Sequence, residues 1–552
     1  MSETTKLSRH GVKDIIEKKV GLMSLVGLCY ALVCSGAYGV EELVSASGPG
    51  LTIVILTVIP LFWAYPYSLL ISELASARPV EGGALIWVKE ALGEYWFGIM
   101  VLVNFFWGLI SCAIYSVLAV QYLGQMVELS LYQTYALKVL ILIVFFIVNV
   151  LGIKEVSSIS TIISIMIISI FIVVAFYGFA NMQFNPMEPF MSDSFNGNVF
   201  MSASAGLGIG IWLYSGTEEV AIFAGEIKDS HKLIPRSLII AIPLIAITYI
   251  VPTIAGVGSV DQWQDWTTLS DGVGYHTVLS SFAPGFFGVI FIIMAVLGQC
   301  ATYNILLASA GRTGLILSDE NFGPQILAKL SNRFGTPIIS LSLVLVTSFF
   351  LLGTPGHPLE FKFLALIDVF FIAICYSLVT ISAMVLRRRI PAAEYKFNIP
   401  GGRPVHNLFS GLSLFFLILV IMVNGTDYFL GGFIVMILMP VLYVIGKRIW
   451  KGLSIKEPEA YPIDPKTGLG FDDLKKIGSY QLVLGMFGII ARYFLKWYDG
   501  KRDTGYYEQQ YGSGLFSNLD SMLQCITIIG ICAAAIGIIL LLINRILGKP
   551  NQ

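Results

Sequence analysis

The segment Ser35-Gly36-Ala37-Tyr38-Gly39-Val40-Glu41-Glu42 interrupts the first long apolar stretch of the chain, and Tyr214-Ser215-Gly216-Thr217-Glu218-Glu219 interrupts another, about 180 residues later. Each segment combines glycine, which breaks a helix, with two carboxylates just beyond the break. Acidic groups in apolar spans are costly and usually face a cavity or a partner. Interrupted helices in matching positions of two half-repeats indicate the binding site of a transporter.

The composition of the chain places it in a lipid bilayer. Of its 552 residues, 56% are hydrophobic and only 12% are charged, against about 25% charged in soluble proteins; the mean hydropathy is +0.79. A net charge of -1 argues against nucleic-acid binding. The seven cysteines all lie in apolar spans, so we interpret them as small core residues. No cluster of His and Cys with metal-ligand spacing is present, and we expect neither a metal nor a cofactor.

Apolar stretches of roughly 20 residues predict membrane-spanning helices. Thirteen such stretches begin near residues 21, 51, 96, 136, 157, 199, 235, 284, 338, 361, 407, 427 and 519. Segment 478–498 is less apolar and carries Arg492 and Lys496 near its end, which favours an interfacial amphipathic helix.

The distribution of Lys and Arg predicts the orientation. The polar N-terminal tail 1–20 and the loops 226–236 and 387–404 are rich in them, whereas loops 181–198 and 258–283 have none. We therefore expect a multi-pass protein of the plasma membrane. Its N-terminus would lie in the cytoplasm, and the two loops without Lys or Arg would lie outside the cell. With thirteen crossings, the C-terminus would lie outside.

The predicted fold is all-α, with two five-helix repeats. Because each repeat has an odd number of helices, the second would be inverted, and about three helices would be peripheral. The predicted units are the cytoplasmic tail 1–20, the first repeat 21–180, the second repeat 199–390, helices eleven and twelve at 405–450, a polar connector with the interfacial helix at 451–518, and a last membrane helix at 519–547.

Several motifs resemble the amino acid–polyamine–organocation superfamily. They stand in the superfamily's order: Glu73-Leu74-Ala75-Ser76 with Pro79-Val80-Glu81-Gly82-Gly83 at the end of helix two, Trp212-Leu213-Tyr214-Ser215-Gly216-Thr217-Glu218 in helix six, Ala224-Gly225-Glu226-Ile227-Lys228 after it, and Phe397-Asn398-Ile399-Pro400-Gly401-Gly402 after helix ten. The first break is most similar to that of polyamine and amino acid permeases, which carry a Gly-x-Tyr/Phe-Gly-x-Glu pattern there.

The resemblance implies a leucine-transporter-type core, with substrate held between broken helices one and six. Two departures stand out: Ser318-Asp319-Glu320-Asn321 replaces the usual Ala-Arg-Asp-Gly after helix eight, and helix five lacks the lysine that some proton-coupled members carry. The resemblance also implies that the aromatic side chain of Trp212 closes over the substrate.

An unwound turn frees backbone N–H and C=O groups, which a zwitterionic substrate can satisfy. The predicted substrate-binding residues are Ser35, Gly36, Ala37, Tyr38, Gly39, Glu41, Trp212, Ser215, Gly216 and Glu218. Adjacent acids point about 100° apart on a helix and cannot both face one cavity, so Glu41 and Glu218 are the candidates for ammonium recognition or proton carriage. The alternative for each is a structural role, with the carboxylate accepting bonds from the frayed backbone.

These features favour a secondary transporter, not an enzyme. A membrane enzyme would need a catalytic cluster, and a channel would need symmetric pore-lining repeats; neither pattern is present. We expect an amino acid permease working by alternating access, by proton coupling or by exchange. The alternative substrate is a polyamine or another cationic amine, because the acids beside the breaks suit spare positive charge.

Overall fold

The computed structural model describes residues 21–80, 82–151, 156–193, 197–222, 224, 227, 229–269, 272–354, 357–359, 361–502, 507–508 and 516–547. Over these ranges the protein is built almost entirely of α-helices. In chain order they are α1 (Leu22–Val33), α2 (Glu41–Ser47), α3 (Pro49–Ala77), α4 (Gly83–Leu92), α5 (Glu94–Gly124), α6 (Leu131–Leu151), α7 (Val156–Ala180), α8 (Val199–Leu213), α9 (Glu219–Ile222), α10 (Ser230–Ser259), α11 (Tyr275–Phe282), α12 (Phe286–Asp319), α13 (Ile338–Leu351), α14 (Phe361–Arg389), α15 (Gly402–Val423), α16 (Thr426–Trp450), α17 (Asp473–Arg502) and α18 (Leu519–Leu547). Two strands, β1 (Gly353–Thr354) and β2 (His357–Pro358), form a short antiparallel pair.

The predicted membrane helices are present. In the described part of the chain, eleven helices are long and apolar enough to cross a bilayer. The shorter helices α1, α8 and α13 account for the other predicted spans. Helix α3 stays continuous through the π-helical turn Pro60–Ala64. The all-α membrane architecture predicted from the sequence is therefore confirmed.

Both predicted breaks interrupt their helices. The first separates α1 from α2, and the second separates α8 from α9. Gly36 and Gly216 both have φ of +105°, a conformation that favours glycine. The helix periodicity therefore stops at the residues that the sequence indicates.

The two broken helices run in opposite directions, as an inverted repeat requires. The end of α2 meets the beginning of α8, where the Ser202 hydroxyl donates to the Ser47 carbonyl at 3.1 Å. Gly216, near the end of α8, faces the Leu32 carbonyl at the end of α1. The two unwound segments therefore cross near the middle of the bundle.

Loops that were predicted to share a side of the membrane lie together. We name the face that carries residues 181–193 and 258–269 the outer face, after the predicted orientation. There the backbone N–H groups of Gln183 and Phe184 donate to the Gly258 carbonyl at 2.8 and 2.9 Å. The tail 1–20 and residues 225, 226 and 228 of the predicted cytoplasmic loop lie outside the described residues.

The opposite, inner face is closed by ion pairs between the ends of α3, α4 and α14. Arg78 contacts Glu394 at 2.5 Å and Glu90 at 3.4 Å. The hydrogen bond that Arg78 donates to Glu394 raises the pKa of Arg78 above its ordinary value. Arg387 lies 3.5 Å from Glu73, which is buried. These pairs link elements of the two repeats across the inner face.

Segment 478–498, for which the sequence favours an interfacial helix, belongs to a helix that is long and apolar enough to cross a bilayer. It lies within α17, which runs antiparallel to α16 along the whole length of that helix. Tyr443 donates to Asp473 at 2.8 Å near one end, and the Thr426 hydroxyl donates to Asp499 at 2.5 Å near the other. Helix α18 packs along α17 and returns to the inner face. This packing favours a helix that crosses the membrane, and it places residue 547 on the same face as Trp450.

The stretch between α16 and α17 is irregular, as predicted, and it packs on the inner face. Lys456 contacts Asp319 at 2.6 Å, and Lys89 contacts Glu457 at 2.8 Å. Buried Lys447 pairs with Glu94 at the start of α5. The connector thus fastens the C-terminal helices to the ends of α4, α5 and α12.

Candidate functional site

The first break is stabilised by the protein's own groups. The Ser35 hydroxyl donates to the Ala31 carbonyl at 2.8 Å and contacts Thr302 of α12. The Gly36 N–H donates to the sulfur of Cys34 at 3.3 Å. A Cβ on Gly36 would lie 2.5 Å from the Tyr38 ring, so this position excludes a larger residue by contact as well as by φ. Ala37 is fully buried.

Glu41 lies at the start of α2 and accepts hydrogen bonds there. The Gly39 N–H donates to its carboxylate at 3.1 Å, and the Tyr122 hydroxyl donates at 2.9 Å. A carboxylate at a helix N-terminus is favourable because it satisfies free N–H groups and the helix dipole. The partners of Glu41 thus match those of a helix cap.

Glu42 points away from Glu41, as helix geometry predicts. Its carboxylate accepts from the hydroxyl groups of Thr267 and Thr268, at 2.6 and 3.1 Å, and from the Thr268 N–H at 3.0 Å. It therefore fastens an outer-face loop to α2.

Tyr38 belongs to an aromatic cluster on the outer side of the break. Its ring lies 5.1 Å from those of Tyr122 and Phe171 and 5.5 Å from that of Phe291, between ring centroids. These rings come from α5, α7 and α12. The cluster separates the centre of the bundle from the outer face.

The second break is held by tyrosine hydroxyls. The Gly216 N–H donates to the Tyr376 hydroxyl of α14 at 2.5 Å, and Tyr249 of α10 donates to the Leu213 carbonyl at 2.7 Å. The Ser215 hydroxyl donates back to the Trp212 carbonyl at 2.7 Å. The unwound backbone is thus bound by neighbouring helices.

Glu218 is the buried acid whose partners are missing. Its side chain is 1% exposed, and among the described residues neither carboxylate oxygen has a hydrogen-bond partner of normal geometry. It lies beside the hydroxyl of Tyr376, which accepts from the Gly216 N–H and keeps its own proton to donate toward the carboxylate. Because buried polar groups are normally paired, an unpaired carboxylate at this position indicates a missing ligand or proton.

Three aromatic rings stack next to Glu218. The rings of Tyr67 and Tyr376 lie 4.4 Å apart and nearly parallel, at 7°. Trp63 stacks against both, with centroids at 6.2 and 5.8 Å. The π-faces of such rings attract cations. We name Glu218, Trp63, Tyr67 and Tyr376 the central site.

Glu219 contacts a set of polar side chains that is separate from the central site. It accepts from Ser309 of α12 and contacts Asn104 of α5, which in turn accepts from Thr313 at 2.9 Å. These side chains line a cavity of about 10 Å³, close to the size of one water molecule.

Asp368 of α14 is a third buried acid, 2% exposed, and the sequence analysis did not single it out. Ser111 donates to its carboxylate at 2.8 Å, and the Trp107 indole donates at 3.1 Å. Trp212 also lies beside this carboxylate. Trp107 contacts the ring of Tyr376 at 6.5 Å, edge to face, so it connects Asp368 to the central site.

The structure therefore divides the predicted site residues between two regions. Glu218 belongs to the central site and Gly216 contacts its Tyr376, with Trp212 near the end of α8 and Ser215 just beyond that end. Ser35, Gly36 and Ala37 form the first break, whereas Tyr38, Gly39 and Glu41 contact the outer aromatic cluster. The residues that the sequence analysis missed are Trp63, Tyr67, Trp107, Asp368 and Tyr376.

Among the described residues, no cation neutralises the three buried acids near the second break. The groups that act on Glu218, Glu219 and Asp368 are hydroxyls, amides, indoles and one another, with no Lys or Arg among them in the described chain. The described residues also hold no group of three or more potential metal ligands. The centre of the bundle is thus acidic and aromatic.

A bundle of membrane helices with two antiparallel broken helices meeting at buried polar groups is the architecture of a membrane transporter. The sequence profile described as "Amino acid permease" matches residues 23–445, most of the chain. The chain therefore belongs to the amino acid permease family, within the superfamily that its motifs indicated. Helices α17 and α18 lie beyond the matched region.

Curated relatives are named polyamine transporters. Polyamine transporter RMV1 of Arabidopsis thaliana is 26% identical over 70% of this chain and 76% of its own length. Polyamine transporter PUT1 of Oryza sativa subsp. japonica is 24% identical over 81% of this chain and 83% of its own length. A probable polyamine transporter of Arabidopsis thaliana is 24% identical over 70% of this chain and 75% of its own length.

Proposed function

We propose that this permease carries aliphatic polyamines across the membrane by alternating access, and that Glu218 binds one of their ammonium groups. The observation that carries the proposal is the buried Glu218 carboxylate, which has no hydrogen-bond partner and lies beside the Trp63–Tyr67–Tyr376 stack. The names of the relatives support the same substrate class.

An ammonium group suits this position for two reasons. It supplies the hydrogen-bond donors and the positive charge that the carboxylate lacks. It also gains about 0.5–2 kcal/mol from the faces of aromatic rings in a desolvated site. The methylene chain of a polyamine would contact the ring faces on either side.

Asp368 is the proposed site for a second ammonium group. It precedes Tyr376 by eight residues on the continuous helix α14, which corresponds to about 12 Å along the helix axis. Trp107 lies between the two positions. A substrate with two or more separated amines can therefore contact both acids, whereas a monoamine reaches only one.

An amino acid fits the charge balance less well. Its carboxylate would enter a region with three buried acids and no Lys or Arg acting on them. The N–H of Gly36, which could have bound a substrate carboxylate, already donates to Cys34. We therefore prefer the polyamine over the amino acid that the sequence analysis favoured.

Proton coupling completes the proposed cycle. When the amine leaves, a proton is the smallest group that neutralises Glu218 in its buried position. Substrate and proton would then alternate at one carboxylate, which gives antiport. Glu41 is the second candidate for the proton, although its carboxylate already accepts from Gly39 and Tyr122. We further propose a plasma-membrane location with the N-terminus in the cytoplasm.

A stabilisation screen tests the substrate class. Purified protein in nanodiscs would be melted with putrescine, spermidine, spermine, lysine, leucine and glutamate. A ligand at 100 times its dissociation constant adds about 2.7 kcal/mol of stability, so polyamines should raise the melting temperature clearly. Stabilisation by leucine or glutamate and not by any polyamine would overturn the proposal.

A further inference from the structure

An apolar cavity of about 190 Å³ lies between α3, α8 and α15, toward the outer face. Its walls include Ile55, Ala203, Leu207 and Leu419. It is larger than engineered cavities of about 150 Å³ that stay dry and bind benzene. It is separate from the central site, and the proposed transport cycle does not use it.

The lining side chains of this cavity offer no available hydrogen-bonding group to a polar ligand. Ser204 supplies the one hydroxyl among the lining side chains. That hydroxyl already contacts the Tyr498 hydroxyl of α17 at 2.5 Å and donates to the Met201 carbonyl at 2.9 Å. Water is therefore not a suitable occupant.

The surroundings of the cavity identify the occupant. Two of the lining helices, α3 and α15, are long and apolar enough to cross the membrane, and α8 is a shorter apolar helix beside them. The lining residue Phe200 is 41% exposed, although its ring also packs on Trp497 and Tyr498 of α17. At this depth the surrounding phase is the hydrocarbon of lipid tails. A flexible chain fits a narrow cavity of this volume, whereas a rigid four-ring sterol would also need a partner for its hydroxyl.

We propose that this cavity is a binding site for an acyl chain of a phospholipid in the outer-face leaflet. The end of the acyl chain would contact Ile59. This side chain packs directly on α8, because a Cβ added to Gly210 would lie 2.5 Å from its Cδ1 atom. Ile59 precedes Trp63 of the central site by one helical turn. The bound chain would therefore lie against α8, the outer half of the second broken helix, and would contact α3, the helix that carries Trp63.

Photochemical labelling tests this site. Protein would be reconstituted with a phosphatidylcholine that carries a diazirine at the end of one acyl chain, and the labelled peptides would be mapped. We expect the yield at Leu207 and Leu419 to exceed, at least fivefold, that at Ile528 and Ile531 on the exposed surface of α18. Equal yields would show ordinary bilayer contact and overturn the proposal.

Variants that fill the cavity provide the control. Ala203→Phe should abolish labelling at the cavity, whereas the matched change Ala535→Phe, on an exposed position of α18, should leave it intact. Leu419→Phe fills the same space from α15 if Ala203→Phe does not fold. Labelling that survives both filling variants would refute the site. Stronger labelling by a photoactivatable sterol, or crosslinks between two copies of the chain, would assign the cavity to another occupant and also refute it.

Discussion

The substitution Glu218→Gln removes one charge from the central site and keeps the size of the side chain. In the free protein this carboxylate lies beside the Tyr376 hydroxyl, and the oxygen of a glutamine amide can take the same place, so we expect the fold to survive. In the complex, the substitution breaks a desolvated charge pair, which costs about 2–5 kcal/mol. At 1.4 kcal/mol per tenfold change, this weakens spermidine binding roughly 30-fold to several thousand-fold.

The assay is equilibrium binding of radiolabelled spermidine to purified protein in nanodiscs. Glu128→Gln is the matched control, because it removes an acid from an exposed position at the end of α5. That variant should bind as the wild type does. If Glu218→Gln melts like the wild type and its dissociation constant changes less than threefold, Glu218 does not bind the amine. If the purified variant is unfolded, the acid is structural and the reasoning also fails.

The other predictions concern the second acid, the tyrosine and the topology. Asp368→Asn should weaken binding of spermidine at least tenfold but that of a monoamine less than twofold; equal losses would contradict a second ammonium position. Tyr376→Phe keeps the ring stack but leaves the Gly216 N–H without its acceptor, which costs about 1–3 kcal/mol and should lower the melting temperature. In a cysteine-free background, Lys466→Cys and Glu508→Cys should react with an impermeant thiol reagent from opposite sides of the membrane, because α17 crosses between them; reaction from the same side would restore the interfacial assignment.

The sequence predicted those features that depend on local pattern. Apolar length identified the spans, and glycines beside acids identified both breaks. Helix geometry correctly predicted that Glu41 and Glu42 diverge. Glu218, chosen from its position beside the second break, lies without a partner at the centre of the bundle.

Features that depend on packing between distant segments were not predicted. Trp63 and Tyr67 meet Tyr376 only because α3 packs near α14, about 300 residues later. Asp368 could have been found, because an acid within an apolar span is a functional candidate by default. The sequence favoured an interfacial helix at 478–498 because charged residues lower the mean hydropathy of α17 to 1.2, below that of the other candidate spans. In the folded protein, Asp473 and Asp499 of α17 accept hydrogen bonds from α16. The sequence does not show these contacts between helices.

The central claim is that the Glu218 carboxylate binds a substrate ammonium against the aromatic stack. A cryo-electron microscopy structure of the protein in nanodiscs with saturating spermidine tests it most directly. We predict elongated density across the central site, with one end within hydrogen-bond distance of Glu218 and against the faces of Tyr67 and Tyr376. Spermidine bound elsewhere, with the Glu218 carboxylate still unpaired or bonded to a protein group, would contradict the claim.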